Sequence, residues 1–125
     1  MKNEDGFKRV RNVEMILLKI LNNGDFYGYE LTQLVKEYSG QIISLPEGSL
    51  YPVLYKLQDK GYVSTIKKLI GKRQERVYYH IEPIGVEYLQ TLMSDYYYLN
   101  KGIQNILSYE PQQEKNISML IYVRM

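Results

Sequence analysis

The stretch of residues 45–62, LPEGSLYPVLYKLQDKGY, places the tightest limit on how this chain can fold. Its apolar positions recur at helical spacing and predict a helix with one face in a core: Leu50, Val53, Leu54 and Leu57. The opposite face carries hydrogen-bonding and cationic side chains: Ser49, Tyr51, Tyr55 and Lys56. Because Pro46, Gly48 and Pro52 limit where the helix can begin, this short element has a shape that fits a DNA major groove.

Composition narrows the class of protein. The 125 residues are enough for one domain with one appended element, and 45% of them are apolar. The absence of cysteine excludes disulfide scaffolds and thiolate metal sites. The longest apolar runs, Met15–Leu18 and Met119–Val123, are too short to span a bilayer, and the first residues lack the apolar core of a signal peptide. We therefore expect a cytoplasmic protein with no membrane partner, no cofactor and no metal.

The net charge of +2 is unevenly distributed. Between Lys56 and Tyr79 there are seven basic residues and two acidic ones, so this window carries +5 and the rest of the chain carries −3. A basic stripe confined to neighbouring elements is what a phosphate-facing surface requires. The alternative is a solvated lysine-rich hairpin, and the charge pattern alone does not decide between the two.

The predicted elements follow in the order helix, helix, helix, hairpin, helix. Periodicity predicts the first two helices at 10–22 and 29–38, the strands at 62–69 and 75–82, and the last helix at 83–107. Gly24 is predicted to cap the first helix in a left-handed conformation, and residues 41–45 to form a connector that can pair as a small strand. Three helices followed by a basic hairpin describe a winged helix-turn-helix, an α+β fold that is mainly α.

Two features indicate that the chain pairs with a second copy. The first helix has apolar residues on two sides, and we expect one side to be buried within its own domain and the other elsewhere. With the polar Asn100 filling one step, the last helix has apolar positions in alternating steps of three and four from Val86 to Leu107, which form a heptad seam. The sequence therefore predicts a DNA-binding domain at 1–82, a long C-terminal dimerisation helix at 83–108, and a tail of unknown role at 109–125.

Three strings resemble the PadR family of bacterial transcriptional regulators: ILNNGDFYGYELTQLVKEYSG, LPEGSLYPVLYKLQDKGYV and GKRQERVYYHIEPIGVEYL. The resemblance implies a winged-helix domain, a C-terminal helix that exchanges contacts in a homodimer, and a palindromic operator that the protein usually represses. The length resembles the short subgroup, which has one C-terminal helix. Where the family usually has a threonine cap, this chain has Glu82-Pro83. Because glutamate is a poorer N-cap, we expect an altered junction before the last helix.

Candidate contacts to double-stranded DNA lie on the second helix, the third helix and the hairpin. Hydroxyl and cationic groups suit base edges and phosphates, and glycine lets the backbone approach a phosphate closely. The predicted DNA-binding residues are Tyr27, Tyr29, Gly48, Ser49, Tyr51, Pro52, Tyr55, Lys56, Lys72, Arg73 and Arg76, the last three at the hairpin tip. Core packing with a satisfied hydroxyl remains the alternative for Tyr29, Tyr51 and Tyr79.

The tyrosine cluster at residues 96–98 in the last helix is unusual. Some regulators similar to this chain bind flat aromatic drugs in a pore between subunits, so a small aromatic effector is a candidate ligand. Its predicted contacts are Met15, Met93, Asp95, Tyr96 and Asn100. The alternative is that Tyr96 only fills the dimer interface.

An enzyme is not expected from this sequence. The single histidine, His80, lies in a predicted strand without cysteine or histidine partners, and Gly71-Lys72 lacks the upstream glycine of a phosphate-binding loop. The remaining alternative is a winged-helix module that binds another protein and not DNA, although such modules usually lack a concentrated basic wing.

Overall fold

The computed structural model describes residues 2–111, with side chains from residue 9 onward. Its elements are α1 (Lys2–Leu21), β1 (Phe26–Tyr27), α2 (Gly28–Tyr38), α3 (Glu47–Asp59), β2 (Val63–Ile70), β3 (Gln74–Ile81) and α4 (Pro83–Leu107). The predicted winged helix-turn-helix is confirmed, and the end of α4 lies at the predicted residue. The chain divides into two compact units, Met1–Met93 and Ser94–Met125, so the division falls within α4. The apolar segment 117–125 lies outside the described residues.

The core of the first unit is built around α1. Leu17 and Leu18, which lie on different sides of this helix, are both fully buried, and they belong to one cluster with the leucines of α2 and α3. For Leu18, the expectation that the second apolar side of α1 is buried elsewhere is therefore wrong. Met15, on that side, is only half-buried, and the side chain of Phe7 lies outside the described residues. Helices α2 and α3 and the strand β3 pack against α1.

The sheet has three antiparallel strands in the order β1-β3-β2. The hairpin pairs Val63 with Ile81 at its base and Ile70 with Gln74 at its tip, and β1 pairs Phe26 with Tyr79. The third strand is thus Phe26–Tyr27, and the connector at residues 41–45, expected to be able to pair as a small strand, forms none. Gly40 and Gln41, where this connector starts, have positive φ, and the chain then turns back so that the Ile43 amide donates to Ser39 Oγ at 2.9 Å.

Glycine takes a left-handed conformation at two turns and not at a third. Gly61 after α3 and Gly71 in the hairpin turn have φ of +79° and +70°, a conformation that glycine adopts without steric cost. Gly24 is not left-handed, contrary to expectation. Instead, α1 ends in a tight turn in which the Gly24 amide donates to the Leu21 carbonyl at 3.3 Å.

The junction between β3 and α4 is held by the backbone. The Glu82 amide donates to the Tyr62 carbonyl at 2.9 Å, and the Glu82 carbonyl accepts from the Val86 amide at 3.0 Å. Gly85 lies so close to Tyr62 that an added Cβ would be 2.1 Å from the carbonyl oxygen. Because these bonds use main-chain atoms, the helix begins at Pro83 without a good capping side chain at position 82.

The first turns of α4 pack on the core through Leu89 and Leu92, and Leu92 was not part of the predicted heptad seam. Tyr88 stacks on Tyr62 with ring centroids 4.3 Å apart. Its hydroxyl is hydrogen-bonded to the buried carboxylate of Glu14, and burial, followed by this acid, raises the pKa of Tyr88 to about 12. In residues 2–111, every helix is too short or too polar to cross a membrane.

Candidate nucleic-acid interface

Helix α3 is held by one apolar stripe, as the spacing predicts. Leu50, Leu54 and Leu57 are fully buried, and the helix starts where the amides of Ser49 and Leu50 donate to the Pro46 carbonyl at 3.0 Å. Pro52 lies inside the helix and does not mark its start. Since proline has no amide hydrogen, the carbonyl one turn earlier loses its usual helical donor at the exposed surface.

The opposite face of α3 is open. The predicted contact residues Gly48, Ser49, Pro52, Tyr55 and Lys56 are all exposed, and Tyr55 has 58% of its surface accessible. A Cβ at Gly48 would meet no atom within 4 Å, so nothing within the described residues requires glycine there. The role of Gly48 in backbone approach to DNA therefore stays a prediction.

Tyr51 divides its surface between this face and the interior. Its hydroxyl lies against Gly28 at the start of α2, where an added Cβ would be 2.2 Å from the oxygen. Burial, followed by the charge of Glu47 and the neighbouring Tyr55, raises the pKa of Tyr51. The ring of Tyr51 also lies beside that of Tyr55, with centroids 5.9 Å apart. Tyr51 thus sets the distance between α2 and α3. Core packing, the alternative to a DNA contact, therefore accounts for much of its side chain.

The remaining tyrosines named in the sequence analysis differ in how deeply they are buried. Tyr29 is 56% exposed at the start of α2, where its hydroxyl is available to a ligand. Tyr79 is only 3% exposed, and its burial, followed by Tyr55 and Tyr51, raises its pKa to about 12. Tyr79 is therefore a core residue. Tyr27 lies in β1, half-buried, and its amide donates to the Glu30 carboxylate at 3.2 Å.

The cations of the hairpin lie in two places, the turn and the strand β3. Lys72 and Arg73 are exposed in the turn between β2 and β3, as predicted. Arg76 is not at the tip. It lies within β3 and packs over the Tyr27 ring, with the guanidinium carbon 4.3 Å from the ring centroid.

Two side-chain pairs near the hairpin escaped the sequence reasoning. Lys68 lies over the Tyr78 ring at 4.6 Å, and His80 Nδ1 lies 2.7 Å from Asp25 Oδ1. The hydrogen bond to Asp25 raises the pKa of His80. The alternation of residues along the hairpin would have placed Lys68 on one face, but its aromatic partner depends on the strand register.

The predicted ligand contacts lie in both compact units. Met15 and Met93 are half-buried and pack against the core of the first unit. Asp95, Tyr96 and Asn100 belong to the second unit, where Tyr96 is 43% exposed and its ring lies 5.6 Å from that of Tyr97. In residues 9–111 we find no group of three or more His, Cys, Asp or Glu side chains that could hold a metal ion.

Comparison with known proteins gives concordant results. Residues 17–91 match the model of the Transcriptional regulator PadR-like family. The negative transcriptional regulator PadR of Bacillus subtilis is 30% identical over 80 residues, which are 64% of this chain and 44% of that protein. This chain therefore spans less than half the length of that relative.

Solved structures show the same similarity. A transcriptional regulator from Clostridium thermocellum superimposes with a TM-score of 0.69 at 27% identity, over 79% of this chain and 95% of that one. Bacillus subtilis PadR, solved in complex with operator DNA, gives 0.60 at 29% identity over 64% of this chain and 45% of that one.

Proposed function

Because the chain belongs to the PadR-like family of transcriptional regulators, we propose that it binds double-stranded DNA as a homodimer and represses transcription from a palindromic operator. The observation that carries this proposal is the arrangement of α3, which buries its leucines and presents Ser49, Tyr55 and Lys56 outward. Family membership also places the chain among non-enzymatic regulators, as the sequence predicts.

The hairpin supports the phosphate contacts that such a protein needs. Lys72 and Arg73 project from the turn, so they can follow a backbone while α3 lies in the adjacent groove. Repression is supported by the relative in Bacillus subtilis, which is described as a negative regulator and was solved on operator DNA.

The homodimer is supported by the second compact unit. Among the described residues of this unit, α4 has exposed large apolar side chains on one helical face: Tyr96, Leu99, Ile103, Ile106 and Leu107. Exposed apolar stripes of this kind mark protein–protein contacts. We propose that residues 83–108 form the dimerisation helix and residues 1–82 the DNA-binding domain.

Substitutions in this helix test dimerisation of the full chain. Replacing Leu99 and Ile103 by lysine should give a monomer in sedimentation velocity, because two buried charges would face an apolar partner. Replacing the exposed Gln104 by lysine on the same helix is the matched control and should leave the dimer intact. A double variant that remains dimeric would exclude this stripe as the interface.

DNA binding is tested by gel retardation with the protein's own promoter at two salt concentrations. Reversing the charge of Lys72 and Arg73 should weaken binding to all DNA and lower the salt slope by about 0.9 for each lost phosphate contact. Reversing the exposed lysines Lys19 and Lys36, outside the proposed interface, controls for net charge. A folded, dimeric protein that retards no DNA would favour the protein-binding module instead.

The small aromatic effector stays a prediction. Its most direct test is quenching of tyrosine fluorescence by planar dyes, compared between the wild type and a Tyr96→Leu variant. Equal quenching of both proteins, or none, would exclude Tyr96 as a stacking residue.

A further inference from the structure

The outer face of the sheet points away from the core. Residues of β3 alternate, so that Tyr79 and Ile81 enter the core while Arg76 and Tyr78 lie on the outer face. The register places Lys68 opposite Arg76 and Tyr27 opposite Tyr78 on this same face. Two cations and two aromatic rings therefore share one surface.

Lys68 and Arg76 form a directly opposed pair of like charges. Such pairs destabilise a sheet, because the side chains of opposed residues start only about 5 Å apart. In the part of the chain whose side chains are described, neither cation is paired with a carboxylate. Two unneutralised cations at this spacing create a concentrated positive potential, which an anion between them would relieve.

The two rings keep these cations side by side. The Lys68 side chain crosses to the neighbouring strand β3 and contacts Tyr78, two residues beyond the residue that it opposes. The Arg76 side chain crosses from β3 to β1 in the same direction and contacts Tyr27. The rings themselves meet edge to face, with centroids 5.5 Å apart and planes at 78°. Because both displacements have the same direction, the two side chains start on neighbouring strands and extend the same way along the sheet. A phosphate offers several oxygens, which can accept hydrogen bonds from an ammonium and a guanidinium at once.

We propose that Lys68 and Arg76 together bind a single phosphate of the DNA backbone, and that Tyr27 and Tyr78 are positioning residues that hold the two cations for it. The proposal rests on the proposed DNA-binding function. It differs from the sequence prediction for Tyr27, in which the hydroxyl donates to a phosphate. Here the face of the ring matters and the hydroxyl does not.

The shared phosphate predicts non-additive salt dependence. Lys68→Gln and Arg76→Gln should each weaken promoter binding severalfold while changing the salt slope little, because one cation still neutralises the phosphate. The double variant should lower the slope by about 0.9, the value for one lost phosphate. A fall of about 1.8 would indicate two separate phosphates, and no fall would remove both residues from the interface. Either result overturns the proposal.

If the two rings position the cations, loss of a ring should lower the affinity for DNA without changing its salt dependence. Tyr78→Leu should weaken binding about two- to fivefold, the range expected for an exposed cation–π contact, with an unchanged slope because both charges remain. Tyr78→Phe and Tyr27→Phe keep the rings and should bind like the wild type. Loss of binding in Tyr27→Phe would restore the hydroxyl as the contact and contradict the positioning role. Circular dichroism checks that each variant is folded. If Tyr78→Leu does not fold, the two phenylalanine variants are used to decide the question.

Lys67→Gln is the matched control, since Lys67 is an exposed neighbour on the same strand but on its other face. It should weaken binding less than Lys68→Gln at every salt concentration. Equal losses would show that the hairpin acts through its total charge, which overturns the shared site. If the wild type binds DNA with normal salt dependence but these differences between variants are absent, the shared phosphate site is refuted and the proposed DNA-binding function is not. If the wild type binds no DNA, the proposed function fails with it.

Discussion

The contact between Gly28 and Tyr51 makes a quantitative prediction about Gly28→Ala. A Cβ at position 28 would lie 2.2 Å from the Tyr51 hydroxyl oxygen and 2.6 Å from the ring carbon that carries it. The ring must therefore move by about 1 Å to restore van der Waals contact, since carbon atoms pack at about 3.5–4.0 Å. Tyr55, whose ring centroid is 5.9 Å away, lies beside it.

Two effects of opposite sign set the magnitude. Overpacking of this kind destabilises a protein by about 1–3 kcal/mol. Alanine in place of glycine favours a helix by up to about 1 kcal/mol, and less in the first turn. We expect Gly28→Ala to lower the free energy of unfolding by about 1 kcal/mol. In a Tyr51→Leu background the obstructing ring is absent, so the same substitution should raise the free energy of unfolding by a few tenths of a kcal/mol.

Equilibrium urea unfolding of the four proteins, at one fixed protein concentration because the proposed dimer would contribute to stability, measures this double-mutant cycle. The expected signature is a change of sign between the two backgrounds, with a coupling energy above about 1 kcal/mol. Equal destabilisation in both backgrounds would show that Tyr51 does not occupy the space above Gly28. Stabilisation in the wild-type background would show that the ring moves freely, and the reasoning would be refuted.

Three further substitutions test other contacts. Gly85→Ala should destabilise the protein by about 3 kcal/mol or more, because the obstructing atom belongs to the backbone and cannot move as a side chain does; a fall in melting temperature smaller than that of Gly28→Ala would contradict this. Tyr88→Phe should cost about 1–3 kcal/mol in urea unfolding, since it leaves the buried carboxylate of Glu14 without this donor, and an unchanged midpoint would argue against the bond. Asp25→Asn tests the pH dependence. Because Asp25 raises the pKa of His80 in the folded protein, its contribution should be fully present below the unfolded pKa of about 6.5 and lost as pH rises through the folded pKa. Since this pair is partly exposed, the stability difference from the wild type at pH 5.5 should be below about 1 kcal/mol and should shrink as the pH rises above about 6.5; a difference that grows with pH would reverse the assignment.

The elements that the sequence predicted well are those with a strong local pattern. The stripe of α3, the hairpin and the end of α4 follow from residues close in the chain. The strand Phe26–Tyr27 has two residues, too few for any periodicity, and exists because it pairs with β3 some fifty residues later. The burial of Leu18 within its own chain was missed for a related reason, since it depends on the positions of neighbouring elements and not on α1 itself.

The candidate site shows the same division. Exposure of Ser49, Tyr55 and Lys56 follows from helix geometry and was predicted. The inward orientation of Tyr51 depends on the missing side chain of Gly28 in another helix, which no spacing within α3 reveals. Similarly, Arg76 was placed at the hairpin tip although it lies within a strand, and its aromatic partner lies on a strand that was not predicted.

The backbone junction at Tyr62 has a consequence for how this protein is studied. Tyr62 comes just after the turn that ends α3, and its carbonyl accepts from the amide of Glu82, the residue before α4. The end of one helix and the beginning of the next are thus tied by main-chain atoms of these two residues. Alanine substitution of Tyr62 or Glu82 would leave this hydrogen bond in place. Replacing the Glu82 amide by an ester, which removes the donor and keeps every side chain, is the change that would reveal it.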